Sequence, residues 1–368
     1  KYHERMVSVM NPDSDPVSMM QEEFLSEKSP DPIQHPMDRH SLTYTRNVFL
    51  PLTTVCHNRC GYCIFRTPVH ADCIMNPAEA GSILAAGAAL GCTEALFTFG
   101  ERPGLEPGFS ELMARYGYTD ILDYCYDLCV LSIECGLLPH TNAGILTGEE
   151  MERLSAVNAS MGLMLETTAR LPAHARSPGK DPSVRIRMIE EAGAMKIPFT
   201  TGLLLGIGET MEDREESLGV IKDLHRRYGH IQEVILQNFC AKEGTPMERS
   251  HGIDPEEMCL VIRMAKDILP ADIAVQIPPN LADAKRLIPC GVDDLGGISP
   301  VTIDYVNPEH PWPQLDSLRE IAGASHLKER LCIYPQFIER RWYAPRLEPL
   351  IKRLEQHIGC ERGERETG

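Results

Sequence analysis

Seven short apolar runs, each closed by a polar or glycine-rich turn, recur along the chain at the interval of a strand–helix unit. They are NVFLPLT (47–53), EALFTFG (94–100), LLPHTNAG (137–144), MGLMLET (161–167), FTTGLLLG (199–206), EVILQNF (233–239) and IAVQIPP (273–279). A shorter eighth lies around Cys290–Leu295. Helical patterns fill the gaps. PAEAGSILAAGAALG (77–91) opens on proline and stops at glycine, and TDILDYCYDLCVLSIECG (119–136) sets Ile121, Cys125, Leu128, Cys129, Ser132 and Cys135 on one face. TMEDREESLGVIKDLHRRYG (210–229) is acidic in its first turn and basic in its last, as the helix dipole favours. Alternation repeated this often predicts a parallel sheet with helices outside it. Seven or eight units predict an α/β chain of the (β/α)8 TIM-barrel type; a partial (β/α)6 barrel with C-terminal additions is the alternative. The barrel domain is expected over 42–345. Residues 1–41, rich in Pro, Asp, Ser and Met, read as an N-terminal extension, and 346–368 as a C-terminal helix with a polar tail that frays from Glu361.

Composition narrows the function classes. The net charge of −17 speaks against a nucleic-acid binder. No apolar run reaches membrane-spanning length, and KYHERMVSVMNPDSDP lacks an apolar signal core. Thirteen cysteines without a secretion signal predict a reducing cytoplasm, where thiols serve metals, catalysis or packing. Cys125, Cys129 and Cys135 read as packing, because buried thiols behave as small hydrophobes.

Directly after the first expected strand comes TVCHNRCGYCIFRTP (54–68), with Cys56, Cys60 and Cys63 spaced C-x3-C-x2-C. A structural zinc site wants four ligands, and only Cys60 and Cys63 form a C-x2-C pair. A redox dithiol on that pair leaves Cys56 without a role. An iron–sulfur cubane normally takes four thiolates; three from one loop would leave one iron open for chemistry. Gly61 allows the loop to turn tightly. Three chance cysteines in a cysteine-rich chain are the plain alternative.

This spacing, with Tyr62 before the last cysteine, resembles the radical S-adenosylmethionine (SAM) superfamily. The resemblance implies a [4Fe-4S] cluster on Cys56, Cys60 and Cys63, with the amino and carboxylate groups of SAM on the open iron. One electron then cleaves the sulfonium and releases a 5′-deoxyadenosyl radical. It also implies a cofactor cradle that includes Tyr62. Gly100 and Glu101 of FTFGERP (97–103) would meet the SAM ammonium, although Arg102 stands where the superfamily has proline. Glu166 would accept from ribose hydroxyls, Arg185 would pair with the carboxylate, Gly206 and Gly208 of TGLLLGIGET would approach the nucleoside, and Asn238 would read adenine. The plain readings of these positions are turn glycines, strand-mouth carboxylates and a surface helical arginine.

Six segments together resemble one family within that superfamily, the 7,8-didemethyl-8-hydroxy-5-deazariboflavin synthases (subunit 1). They are TYTRNVFLPLTTVCHNRCGYCIFRTP, FTFGERP, SPGKDPSVRIRMIEEAG, IPFTTGLLLGIGET, NFCAKEGTPM and VNPEHPWP, and the resemblance runs from about Leu42 to Ala344. It implies a partner radical SAM subunit that joins a tyrosine-derived fragment to 5-amino-6-(D-ribitylamino)uracil. This chain then abstracts a hydrogen, closes the ring and releases ammonia, and a flavodoxin- or ferredoxin-like donor supplies the electron. On the substrate side His140 and Asn142 end the third expected strand, and Asp293 and Asp294 are candidates for ribityl hydroxyls or proton transfer. HPWPQ (310–314) is either a rigid lid or packing. The competing functions are sulfur insertion of the biotin-synthase type, which needs a second cluster, and a structural zinc module.

Overall fold

Eight parallel strands close on themselves. In the computed structural model, which describes residues 41–323 and 325–366, these are β1 (Ser41–Pro51), β2 (Glu94–Thr98), β3 (Leu138–Asn142), β4 (Ser160–Gly162), β5 (Phe199–Leu205), β6 (Ile231–Asn238), β7 (Ala274–Gln276) and β8 (Asp294–Ile298). Each pairs with the next, and β8 returns to β1, so the barrel is (β/α)8 and not the six-stranded alternative. The expected N-terminal extension, 1–41, lies outside the described residues apart from Ser41.

The local causes are ordinary ones. Asn76 caps the helix Pro77–Ala89 by accepting from the Glu79 N–H, with proline in the first turn. Thr210 and Asp213 form a capping box on Met211–Tyr228, and Gly229 ends it at φ 65°. Along the strands, alternate residues point to opposite faces. Val48 and Leu50 of β1 and Ala95 and Phe97 of β2 are buried in the hydrophobic core. Thr45, Asn47 and Phe49, with Glu94, Leu96 and Thr98, face a cavity in the lumen.

Three boundaries depart from expectation. β4 stops at Gly162, because Glu166 turns to φ 67° and touches β5 only through a bridge to Leu203. The expected strand around Cys290–Leu295 begins instead at Asp294. Pro289 lies in a single 3-10 turn, Ile288–Cys290, and Gly291 reverses the chain at φ 119°. Asp293 and Asp294 therefore stand at the opening of β8, at the amino-terminal end of the barrel. Their reading as candidates for ribityl hydroxyls or proton transfer is corrected on that ground. Third, an unanticipated strand β9 (His326–Glu329) pairs with Ser41–Tyr44 of β1. It takes the stretch of β1's edge preceding Asn47–Pro51, which pairs with β2. Its sequence HLKE has no apolar alternation to betray it. The C-terminal helix, Glu348–Glu366, continues through the segment expected to fray. Cys259 and Cys290, expected as thiols, form a disulfide.

The residue after β9 seals the floor. Arg330 donates through Nε to Asp294 Oδ2 at 2.6 Å and through Nη2 to Asp294 Oδ1 at 2.8 Å and Glu233 Oε2 at 2.7 Å. Tyr334 donates to the same Glu233 oxygen at 3.0 Å, and its ring lies under the guanidinium. Thr43 also donates to Asp294. Asp293 pairs instead with Lys266 at 2.6 Å and accepts the Val275 N–H at 2.8 Å.

Glu94 shares this floor and makes no ion pair among the described residues. Burial pushes its carboxyl up to about 7 against the pull of Arg330, and the charges of Glu233 and Asp294 add to the rise. The native state then keeps a proton that the unfolded chain releases near 4.5. Native stability should fall as pH rises from about 4.5 to 7 and then level off. Glu94→Gln should therefore stabilise the fold more at pH 8 than at pH 5, by up to about 3 kcal/mol at ~1.4 kcal/mol per unit, seen as a larger rise in thermal midpoint. Equal shifts at both pH values, read by circular dichroism, would count against a retained proton.

Candidate active site

The chain leaving β1 folds across the barrel mouth, and backbone bonds fix it there. Gly61 N–H donates to the Ala173 carbonyl at 2.8 Å, and its own carbonyl accepts from Met247 N–H at 3.1 Å. Arg59 N–H donates to Ser177 Oγ at 3.0 Å. The Arg66 guanidinium holds the Cys56 carbonyl at 2.9 Å. On this pinned loop Cys56, Cys60 and Cys63 are half-buried and free of disulfides. Cys56 Sγ accepts the Glu101 N–H at 3.2 Å, and Cys60 Sγ accepts the Ser177 hydroxyl at 3.3 Å. Burial pushes the Cys56 thiol up to about 11, although that N–H pulls it down; a metal has to displace this proton.

Gly100 lets β2 end against this loop. A Cβ there would lie 1.9 Å from the Val55 carbonyl oxygen, so only glycine permits the approach. Among the described residues no three His, Cys, Asp or Glu side chains converge as ligands of one ion. Three separated thiols on one loop fit a cluster that takes one thiolate per iron.

Beside the cysteines lies a buried charge network centred on Glu166. Its carboxylate accepts from Tyr62 Oη at 2.6 Å, meets His174 Nε2 at 3.0 Å, pairs with Lys180, and has Arg185 at 4.0 Å. Burial opposes its charge, but Lys180, His174 and Arg185 together hold it well below the usual carboxylate range. A non-glycine residue at φ 67° is strained, and such strain clusters at functional sites. Arg185 is 3% exposed, which removes the surface-arginine reading. It donates to the Met164 carbonyl at 2.6 Å and stands 3.7 Å from Glu101, while its Nε has no partner. Glu101 packs against Gly144 and Gly179, where a Cβ would collide with its carboxylate.

Gly206 and Gly208 take φ 94° and 113°. The turn they form is folded around Glu209, which accepts the Gly206 and Ile207 N–H groups at 2.7 and 2.8 Å and is clamped by Arg214 at 2.8 Å. Ile207, Leu204 and Phe239 make an apolar patch with Tyr62, Leu171 and Met247. Asn238 gives its amide N–H to the Leu281 carbonyl at 2.6 Å and keeps Oδ1 buried and unpartnered. Deeper in the lumen are Asn142 and His140. Burial and the nearby Arg330 charge push the His140 imidazole down to about 3, so it is neutral, and it bonds Ser160 Oγ at 2.7 Å.

The structure thus gathers Cys56, Cys60, Cys63, Tyr62, Gly100, Glu101, Glu166 and Arg185 around the mouth. Gly206, Gly208 and Asn238 follow β5 and β6 at that same end. Asp293 and Asp294 are left at the opposite end. Sequence reasoning missed His174, Ser177, Lys180 and Glu209. The one available signal was the proline–glycine punctuation of SPGK between a strand and a helix.

Residues 50–221 match the Radical SAM superfamily. A 7,8-didemethyl-8-hydroxy-5-deazariboflavin synthase of Methanoculleus marisnigri is 69% identical over 88% of this chain and 98% of its own length. The chain belongs to the deazariboflavin synthase family. A second relative of that name, from Methanoregula boonei, is 62% identical over 88% of this chain and 98% of its own length, and one from Archaeoglobus fulgidus is 51% identical over 87% and 99%. Among solved structures, the FeFe-hydrogenase maturase HydG of Carboxydothermus hydrogenoformans superposes with a TM-score of 0.64 at 15% identity, covering 87% of this chain and 82% of its own. Methylornithine synthase (PylB) gives 0.54 at 16%, covering 88% and 84%. These two share the fold alone. Family membership brings a [4Fe-4S] cluster and SAM as the cofactors of a deazariboflavin synthase.

Proposed function

We propose that this deazariboflavin synthase chain performs the ring-closing half of deazaflavin formation. Its substrate is the adduct of a tyrosine-derived fragment with 5-amino-6-(D-ribitylamino)uracil, and its products are 7,8-didemethyl-8-hydroxy-5-deazariboflavin and ammonia. The observation that supports this most strongly is the convergence of three free thiols with the Glu101–Arg185–Glu166 group at one end of a barrel that the named relatives match almost end to end.

The residues suit distinct tasks. Cys56, Cys60 and Cys63 would hold the cluster, which with SAM supplies a hydrogen-abstracting radical. Glu101 suits the SAM ammonium and Arg185 its carboxylate. Glu166, kept ionised, is ready to accept from ribose hydroxyls, with Tyr62 fixing its orientation. The free Oδ1 of Asn238 suits the amino group of adenine. Open space lies where a side chain on Gly208 would stand, which suits the close approach of a nucleoside, whereas Gly206 packs on Gly252; Asn142 faces the substrate side.

A second radical SAM subunit would supply the adduct, and a flavodoxin- or ferredoxin-like protein the electron. Arg59 and Arg176 support an acidic carrier. They are joined by an N–H to carbonyl bond of 3.2 Å, and both stand exposed beside Cys60 on a chain of net charge −17, with Glu106 3.9 Å from the Arg59 guanidinium. A basic patch on an acidic protein steers acidic partners. Arg59→Glu with Arg176→Glu should slow reduction by such a carrier about tenfold at low salt and leave reduction by dithionite unchanged. Reduction that ignores both charge reversal and salt would place the docking face elsewhere. A cytoplasmic setting suits the free thiols, and among the described residues no helix is long and apolar enough to cross a membrane.

The deciding assay is anaerobic, with reconstituted protein, SAM, reductant, tyrosine, the diaminouracil and the partner subunit. Deazaflavin fluorescence should appear only with both subunits, together with 5′-deoxyadenosine. If 5′-deoxyadenosine forms and fluorescence does not, the substrate is wrong.

A further inference from the structure

Below the mouth the lumen encloses a cavity of about 220 Å³. Its walls carry hydrogen-bonding capacity that the protein leaves unused. Asn47 Oδ1, Thr98 Oγ1, Asn280 Oδ1 and Trp312 Nε1 are buried without a partner, and all four residues line this cavity. Asn47 is 2% exposed. A buried polar atom with no partner is costly, and native proteins keep few of them. Four on one small cavity mark the contact points of something that binds there.

The backbone is shaped to admit these amides. A Cβ on Gly297 would lie 2.2 Å from Asn47 Nδ2, and one on Gly296 would lie 2.2 Å from Gln276 Nε2. The paired glycines of β8 thus make room for side-chain amides of its two neighbouring strands, β1 and β7.

Charge sets the class of ligand. Among the described residues lining the cavity, Arg330 is the one permanent cation, and Asp294 and Glu233 occupy it. Glu94, Glu233 and Asp304 face the same space. Asp304 is itself engaged by the Asn280 and Asn307 amides at 2.9 and 3.1 Å. A phosphate dianion would meet carboxyl groups and no free cation.

We propose that the lumen recognises an uncharged ligand rich in hydroxyl and amide groups through Asn47, Thr98, Asn280 and Trp312, and that it rejects the phosphate monoester of that ligand. The identity of the ligand rests on the deazaflavin reading above. The ribityl chain and uracil ring of that substrate offer the donors and acceptors that the four atoms lack, and no charge.

The chain has two tryptophans, so Trp342→Phe leaves Trp312 as a sole emission reporter in the reconstituted full-length protein. Titration with 5-amino-6-(D-ribitylamino)uracil should change Trp312 emission at a dissociation constant at least tenfold below that of its ribityl 5′-phosphate. Asn47→Leu and Thr98→Val should each weaken binding about tenfold while leaving thermal unfolding of the unliganded protein unchanged or raised. Equal affinity for the two compounds, binding of neither, or unchanged affinity in both variants would overturn the proposal. The two readings fail separately. Normal deazaflavin formation with unaltered KM in both variants sinks the lumen assignment alone. Tight, phosphate-sensitive binding without any deazaflavin sinks the function and keeps the site.

Discussion

Replacing any one of Cys56, Cys60 or Cys63 by alanine should give a folded protein that retains no intact [4Fe-4S] cluster and forms no 5′-deoxyadenosine. The loss is expected to be complete because in the proposed site each thiol would serve a different iron, and two thiolates would not hold a cubane against oxidation or chelators. The fold should survive because the loop is fixed by main-chain bonds at Arg59 and Gly61 rather than by the sulfurs. By contrast, Cys129 is fully buried against Thr141 and Asn158. Its change to alanine should cost packing alone, about 1 kcal/mol or more. Iron and acid-labile sulfide are the measurements, with about four of each expected per wild-type chain. A variant that keeps four irons and cleaves SAM would require a ligand outside this loop. About eight irons in the wild type would instead revive the sulfur-insertion alternative.

Arg330→Met should be the most damaging change outside the mouth. Removing the guanidinium leaves Asp294 and Glu233 buried side by side, and breaking a buried pair from one side costs roughly 3–5 kcal/mol. Neutralising the partners as well, with Glu233→Gln and Asp294→Asn added, should recover part of that loss, since the uncompensated charge dominates it. The denaturant midpoints of the single and triple variants test this. A loss under about 1 kcal/mol in the single variant would mean that protons or water take over the arginine's role.

The contrast between these regions explains what the sequence made legible. The cysteine loop could be read because three candidate ligands fall within one short segment, and the strand ends that face it follow from alternation. The floor could not be read, because Arg330 meets Asp294 and Glu233 only after the barrel closes. Residues 36 and 97 positions apart carry no local signal of their meeting. The apolar letters around Cys290 looked like a strand, but Pro289 and Gly291 turn the chain there, which moved Asp293 and Asp294 to the wrong end. Asn47 and Thr45 resemble surface positions because polar residues in a strand usually face water; here they face the lumen. Glu166 was found as a carboxylate at a strand end, yet its partners His174 and Lys180 lie in an irregular loop where no periodicity points.

The shared edge of β1 has a consequence for synthesis on the ribosome. Ser41–Tyr44 must wait for His326–Glu329, about 285 residues later, before that half of the edge is covered. At roughly 5–20 residues per second, the delay is on the order of 15–60 s. During it, that half of β1's edge stays open to mispairing with other nascent chains. Translation of His326–Glu329, and not of the cysteine loop made earlier, then sets when the edge of β1 is fully covered.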